Sequence, residues 1–187
     1  MKRAVIFMLI AVLGTTLSTA QKKQGDKINW VSFEEALELQ KKNPKKIMMD
    51  VYTVWCGPCK MLDKNTFKNQ DVADYINKNY YAVKFNAQGD STISYDGRTF
   101  SNPGYDPAKA QRRNASHELT RYLRVSAFPT MVFFDEDGKM IAPIKGYKSP
   151  QQLELFLKLF KDDDYKEMKS QEQFNEYYAA FQPSFKG

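Results

Sequence analysis

A chain of 187 residues, 42% hydrophobic and 14% aromatic, carries enough apolar material for one folded core and a little more, which excludes a disordered or fibrous polypeptide. Its net charge of +6 is modest, and its lysines are scattered between acids instead of gathering in a stripe, which argues against nucleic acid as a partner. Two cysteines and one histidine leave a zinc centre, which needs about four ligands, short of donors.

Residues 1–20 read as an export signal. Lys2 and Arg3 give a positive start, Ala4 to Leu13 an apolar run, and Ser18-Thr19-Ala20 a small-residue cleavage pattern. Cleavage after Ala20 removes Lys2 and Arg3 and lowers the net charge from +6 to +4. The apolar run is short of the about twenty residues of a membrane span, so a periplasmic or secreted protein is expected, with an uncleaved anchor as the alternative. No cysteine near the cleavage region could carry a lipid. Residues 21–27 are polar and expected to form a linker.

Ile28-Asn29-Trp30 suits a short edge strand. Ser32-Phe33-Glu34-Glu35 is a capping-box pattern, predicting a helix from Phe33 to about Lys42 that Asn43-Pro44 stops. Ile47 to Thr53 is apolar and β-branched and predicts a buried strand. It runs into Trp55-Cys56-Gly57-Pro58-Cys59-Lys60, a strand-to-helix turn in which Pro58 occupies a first-turn position where a missing N–H costs nothing. Cys56 then lies at the positive end of a helix dipole, which favours a thiolate, and Cys59 is close enough to close a small disulfide with it. A disulfide kept only for stability is the plainer reading. Its two-residue spacer would restrain little of the unfolded chain, and an exported domain that needs stapling more often uses distant pairs. Thiol–disulfide exchange therefore leads.

A helix is predicted from about Cys59 to Phe67, a second from Asp71 to Asn79, and a strand from Tyr81 to Asn86. Ile93-Ser94-Tyr95 and Arg98-Thr99-Phe100 flank Asp96-Gly97, a strong hairpin signal. A helix is expected from about Ser116 to Arg124. The one histidine, His117, falls in its first turn, where a capping role is commoner than a catalytic one. Asn114-Ala115-Ser116 matches a short glycosylation pattern. Thr130 to Asp135 and Met140 to Ile144 read as an antiparallel hairpin. Ser149-Pro150-Gln151-Gln152 opens a helix to Phe160, and Asp162-Asp163-Asp164 ends the pattern. A last helix, about Ser170 to Ala180, carries Phe174, Tyr177, Tyr178 and Phe181 on one face and is expected to dock on the domain, with a partner-binding helix as the alternative.

The stretch Trp55 to Lys60 resembles the active site of the thioredoxin superfamily, and the likeness extends over most of Ile28 to Phe160. Asp50 stands six residues before Cys56, where thioredoxins carry a buried acid. Phe128-Pro129-Thr130 resembles their cis-proline loop, and Gly146 falls where a glycine follows the last strand. The resemblance implies an α/β thioredoxin-like fold, a central mixed sheet flanked by helices, over residues 28–160. An inserted hairpin and loop over 88–117 and a helical extension over 161–187 depart from the minimal pattern. It also implies that Lys84 lies near Asp50, solvent exposure of Lys84 being the alternative. The ends of the insertion then fall on the active-site side, so it reads either as a substrate-recognition element, with Lys109, Arg112 and Arg113, or as a stabilising flap.

The expected chemistry follows. Cys56 attacks a client disulfide, Cys59 resolves the mixed disulfide, and Asp50, its pKa raised by burial and partly restored by Lys84, takes the proton from Cys59. Trp55, Gly57, Pro58, Phe128 and Pro129 shape the substrate groove. No cofactor or metal beyond the redox-active disulfide is expected. The Gly-Pro spacer resembles reducing members, so disulfide-bearing client proteins and a membrane electron donor are the implied partners. An oxidase or isomerase, or a non-catalytic binding module, is the alternative.

Overall fold

The computed structural model describes residues 27–187; the expected export signal and residues 21–26 of the linker lie outside them. Five strands form one mixed sheet: β1 (Trp30–Val31), β2 (Lys46–Tyr52), β3 (Tyr80–Asn86), β6 (Thr130–Phe134) and β7 (Met140–Lys145), in the spatial order β1-β3-β2-β6-β7. The first three run parallel, whereas β6 is antiparallel to β2 and β7 to β6. A separate hairpin, β4 (Ile93–Tyr95) with β5 (Arg98–Phe100), forms within the expected insertion.

The centre of the sheet follows from alternation. In β2, Ile47, Met49 and Val51 point to one face with Phe33, Val83, Phe85, Phe134 and Leu119. Met48 points to the other, among Leu62, Ile76, Phe133, Leu153 and Leu157, and Asp50 is on the same side by the same period. The first face is covered by α1 (Phe33–Lys42), the hairpin and the short α4 (Glu118–Tyr122). The second is covered by α2 (Gly57–Asn65), α3 (Gln70–Asn79) and α5 (Pro150–Lys161).

Helix starts follow their caps. Ser32 Oγ accepts the Glu35 N–H at 3.1 Å, and Ser149 and Gln152 form the full reciprocal box. The helix α2 begins at Gly57, two residues earlier than expected, because Cys56 itself caps it. In contrast, α4 is shorter than its predicted span: His117 is its cap, and Arg124 already adopts a left-handed conformation (φ 55°). The hairpin turn places Asp96 (φ 52°) and Gly97 (φ 68°) both in the left-handed region, the geometry that favours Asp-Gly in a two-residue loop.

The chain beyond α5 docks as expected, though not by the whole predicted face. In α6 (Gln171–Ala180), Phe174 and Tyr177 pack on the core while Tyr178 is 52% exposed. The tail after it is pinned by Glu154, a fully buried carboxylate on α5. Glu154 accepts the Ser184 and Phe185 backbone N–H groups at 2.8 Å and the Lys158 ammonium at 2.7 Å. No helix among the described residues is long and apolar enough to cross a membrane.

Candidate active site

The strand β2 ends at Tyr52, and the chain turns into α2 through Thr53 to Cys56, with the Cys56 N–H donating to the Thr53 carbonyl at 3.2 Å. Cys56 and Cys59 are joined as a disulfide with their Cα atoms 5.3 Å apart. Cys56 Sγ accepts the Cys59 N–H at 3.1 Å, so the sulfur takes the capping place that a serine oxygen takes elsewhere. Any negative charge on that sulfur meets an unshared N–H and the positive end of the helix. Each cysteine is only 3% exposed in this bonded form, a narrower opening than a client-facing Cys56 suggests, although Gly57 and Pro58 beside it are exposed.

Asp50 and Lys84 are register partners across β2 and β3, which brings them to the same face of the sheet. Their closest atoms, Lys84 Nζ and Asp50 Oδ2, are 3.6 Å apart. Asp50 is 1% exposed, and its Oδ1 has no hydrogen-bond partner among the described residues. Burial raises its pKa to about 7; Lys84 pulls it down and the Asp63 carboxylate adds to the rise. Lys84 is not solvent-facing but only a quarter exposed, with its ammonium 5.2 Å from the ring centres of Trp30 and Tyr52.

Asp63 is the residue the sequence reading missed. It sits on α2 and holds Lys84 more closely than Asp50 does. Its position four residues after Cys59, hence on the same helix face, was the available signal.

Trp55 is fixed from three sides. Its Nε1–H donates to Gln88 Oε1 at 2.8 Å, the edge of Phe128 approaches with ring centres 6.2 Å apart, and the Arg113 guanidinium lies 4.5 Å from its ring centre. Gln88 Oε1 also accepts the Asn114 N–H at 3.0 Å, so one side-chain oxygen ties the tryptophan to the inserted loop. The Phe128–Pro129 bond is cis, and Thr130, next in the chain, pairs in register with Val51 near the strand end that leads to Cys56. The Gly146 N–H donates to the Pro129 carbonyl at 2.8 Å from a left-handed backbone (φ 83°), a conformation glycine adopts without penalty.

His117 stands apart from this chemistry. It is fully buried, its Nδ1 accepts the Leu119 N–H at 3.1 Å, and its Nε2 bonds the Ser91 carbonyl at 2.8 Å, so both ring nitrogens are engaged. Asn114, the acceptor of the glycosylation pattern, has its carboxamide engaged as well. The oxygen takes the Asp106 N–H at 2.9 Å and the nitrogen donates to the Asp106 carbonyl at 2.8 Å.

A cysteine pair capping the helix that follows a central parallel strand, with a cis-prolyl loop entering the neighbouring strand, is the arrangement of thiol–disulfide oxidoreductases. A family model described as a thioredoxin-like domain matches residues 33–161, and the chain belongs to that family. The chain is 29% identical over 121 residues to a thiol:disulfide interchange protein DsbD of Pectobacterium atrosepticum, a match over 64% of this chain and 17% of that protein. It thus spans about a sixth of that relative's length. It is 26% identical over 129 residues to a thiol-disulfide oxidoreductase ResA of Bacillus thuringiensis, covering 65% of this chain and 67% of that one. Among solved structures, a thioredoxin-fold protein from Helicobacter pylori superposes with a TM-score of 0.52 at 22% identity, over 73% of this chain and 82% of that chain, a likeness of fold.

Proposed function

We propose that the chain reduces protein disulfides outside the cytoplasm, using the Cys56–Cys59 couple as its only redox group. The observation that carries this reading is the Cys59 N–H directed at Cys56 Sγ at the start of α2, which favours the thiolate on the first cysteine.

In the reduced protein, the Cys56 thiolate attacks one sulfur of a client disulfide. One S–S bond breaks, a mixed disulfide forms, and the first client thiol leaves. Cys59 loses its proton to Asp50, attacks Cys56 Sγ and releases the second client thiol. Two electrons pass to the client, its departing thiolates take their protons from solvent, Asp50 returns the Cys59 proton to solvent, and the Cys56–Cys59 disulfide remains. Asp50 suits the proton transfer because its pKa stands at about 7. Lys84 holds the carboxylate's charge in check, while Trp55, Gly57, Pro58, Phe128 and Pro129 shape the groove in which an extended client segment lies. Reduction of the resting disulfide requires a dithiol donor, and the expected export signal favours one held in the membrane.

The Cys56→Ser protein is expected to lose insulin disulfide reduction, and Cys59→Ser to accumulate mixed disulfides. Full activity in Cys56→Ser would remove the nucleophile assignment. A couple poised near the thioredoxin value of about −270 mV supports reduction, and one well above it reverses the direction in favour of an oxidase or isomerase.

A further inference from the structure

The inserted loop places a cation on the residue next to the reactive cysteine. Arg113 is exposed, and its guanidinium rests 4.5 Å from the ring centre of Trp55, the residue directly before Cys56. Stacking on an indole fixes a guanidinium without neutralising it, so the charge remains available to a ligand. Among the described residues, no carboxylate lies within 4 Å of Arg113, Arg112 or Lys60, all exposed. The neighbouring acid, Asp106, is taken by Lys109 at 3.0 Å and by the Ala108 N–H, with Arg112 near enough to add to its stabilisation. Asp63, across α2, is held by Lys84.

The loop that carries Arg113 is anchored rather than loose. Asn114 clasps Asp106 through both ends of its carboxamide, and Asn102 Nδ2 donates to the Gly89 and Ala115 carbonyls at 2.9 Å each. Through Gln88 the same loop holds the Trp55 indole. The insertion is therefore a wall of the site and not a remote flap.

We infer that Arg113, presented on Trp55 by the inserted loop, is a specificity residue that selects client segments bearing a carboxylate beside the reacting cysteine. A client sulfur bonded to Cys56 brings its flanking residues alongside Trp55, where the guanidinium offers a two-pronged donor for a carboxylate. A lysine-flanked cysteine meets repulsion at the same place, so the discrimination has an attractive and a repulsive half. The inference rests on the exchange reaction proposed above, and holds for either direction of electron flow.

The test uses the reduced full-length protein and three disulfide-linked peptide dimers with aspartate, asparagine or lysine on both sides of the cysteine. Rates are normalised to those with dithiothreitol, which corrects for each disulfide's intrinsic reactivity. The aspartate dimer is expected to react about fivefold faster than the asparagine dimer, and the lysine dimer slower still, the size one exposed charge pair supplies. Raising NaCl from 50 to 500 mM should compress the series, as should Arg113→Gln, while Arg113→Lys should keep part of it. Equal normalised rates for all three peptides at low salt, with exchange proceeding, overturn the inference alone. Failure of the wild type to react with any of them overturns the exchange reaction and this selectivity together. A spread that persists at 500 mM NaCl, or that is as wide in Arg113→Gln or Arg113→Lys as in the wild type, overturns the inference as well.

Discussion

At the scale of single residues, the most consequential group is the carboxylate of Asp50. In the unfolded chain it releases its proton near 3.8; in the folded protein burial delays this to about 7, against the pull of Lys84. Between those values the folded state binds the extra proton, so stability falls as pH rises through the window and stays reduced above it. Asp50→Asn removes that proton. It is expected to be more stable than wild type at pH 8 by up to about 4 kcal/mol, with the gain vanishing below about pH 4. Urea titrations at the two pH values check this, and an equal gain at both would remove ionisation as its cause. The same variant should exchange more slowly and lose the rise in rate near pH 7, whereas an unchanged pH–rate profile would deny Asp50 its proposed role with Cys59. The cysteines, Trp55 and Asp50 were legible because one short motif and its offset name them. Lys84 was legible through the same likeness, and strand register explains its place. Asp63 escaped because an acid on an exposed-looking helix reads as solvated surface until the strand beneath it is known to carry a lysine.

At the scale of elements, local signals foretold more than long-range contacts did. The Asp96-Gly97 turn and the Ser149 box depend on neighbours a few residues away, and both formed as predicted. Gln88 and Trp55 are 33 residues apart, and nothing in either segment announces their bond. Lys46 is similar. It is 2% exposed at the start of β2, held by Glu136 at 2.7 Å and Asp163 at 2.9 Å. Burial alone would lower its pKa, but the two carboxylates carry it above the usual value. The acidic run that reads as a helix stop thus supplies a partner for a buried lysine. Gln88→Ala should leave the Trp55 indole N–H and the Asn114 N–H without their shared acceptor, at a cost of about 1 kcal/mol for each bond. Faster amide exchange at Asn114 and altered Trp55 fluorescence are the expected readouts; unchanged protection at Asn114 would mean that the loop is held by its Asn102 and Asn114 clasps alone.

At the scale of the whole molecule, the terminal segment closes onto the fold through Glu154. Burial by itself would raise this carboxyl's pKa, yet the donors from Lys158, Ser184 and Phe185 outweigh it and hold the pKa below the ordinary value. A depressed carboxyl pKa contributes stability that is present above about pH 4.5 and lost as pH falls through the folded value. Removal of residues 182–187 strips Glu154 of the Ser184 and Phe185 donors and leaves Lys158. A loss of about 3 kcal/mol is expected, in the range for breaking a buried charged cluster. Glu154→Gln in the truncated chain should recover part of it, since an amide tolerates the vacated place better than a carboxylate. Urea unfolding of the three proteins measures this, and a truncated chain as stable as the full one would reduce the tail to decoration.

The tail is also fastened at Lys186. The Lys186 N–H donates to Asp71 Oδ2 at 2.8 Å, and its carbonyl accepts Asn69 Nδ2 at 2.7 Å. An affinity handle or fluorescent fusion attached after Gly187 would therefore tug on a seated anchor at the mouth of α3. One grafted ahead of Ile28 would leave that anchor undisturbed.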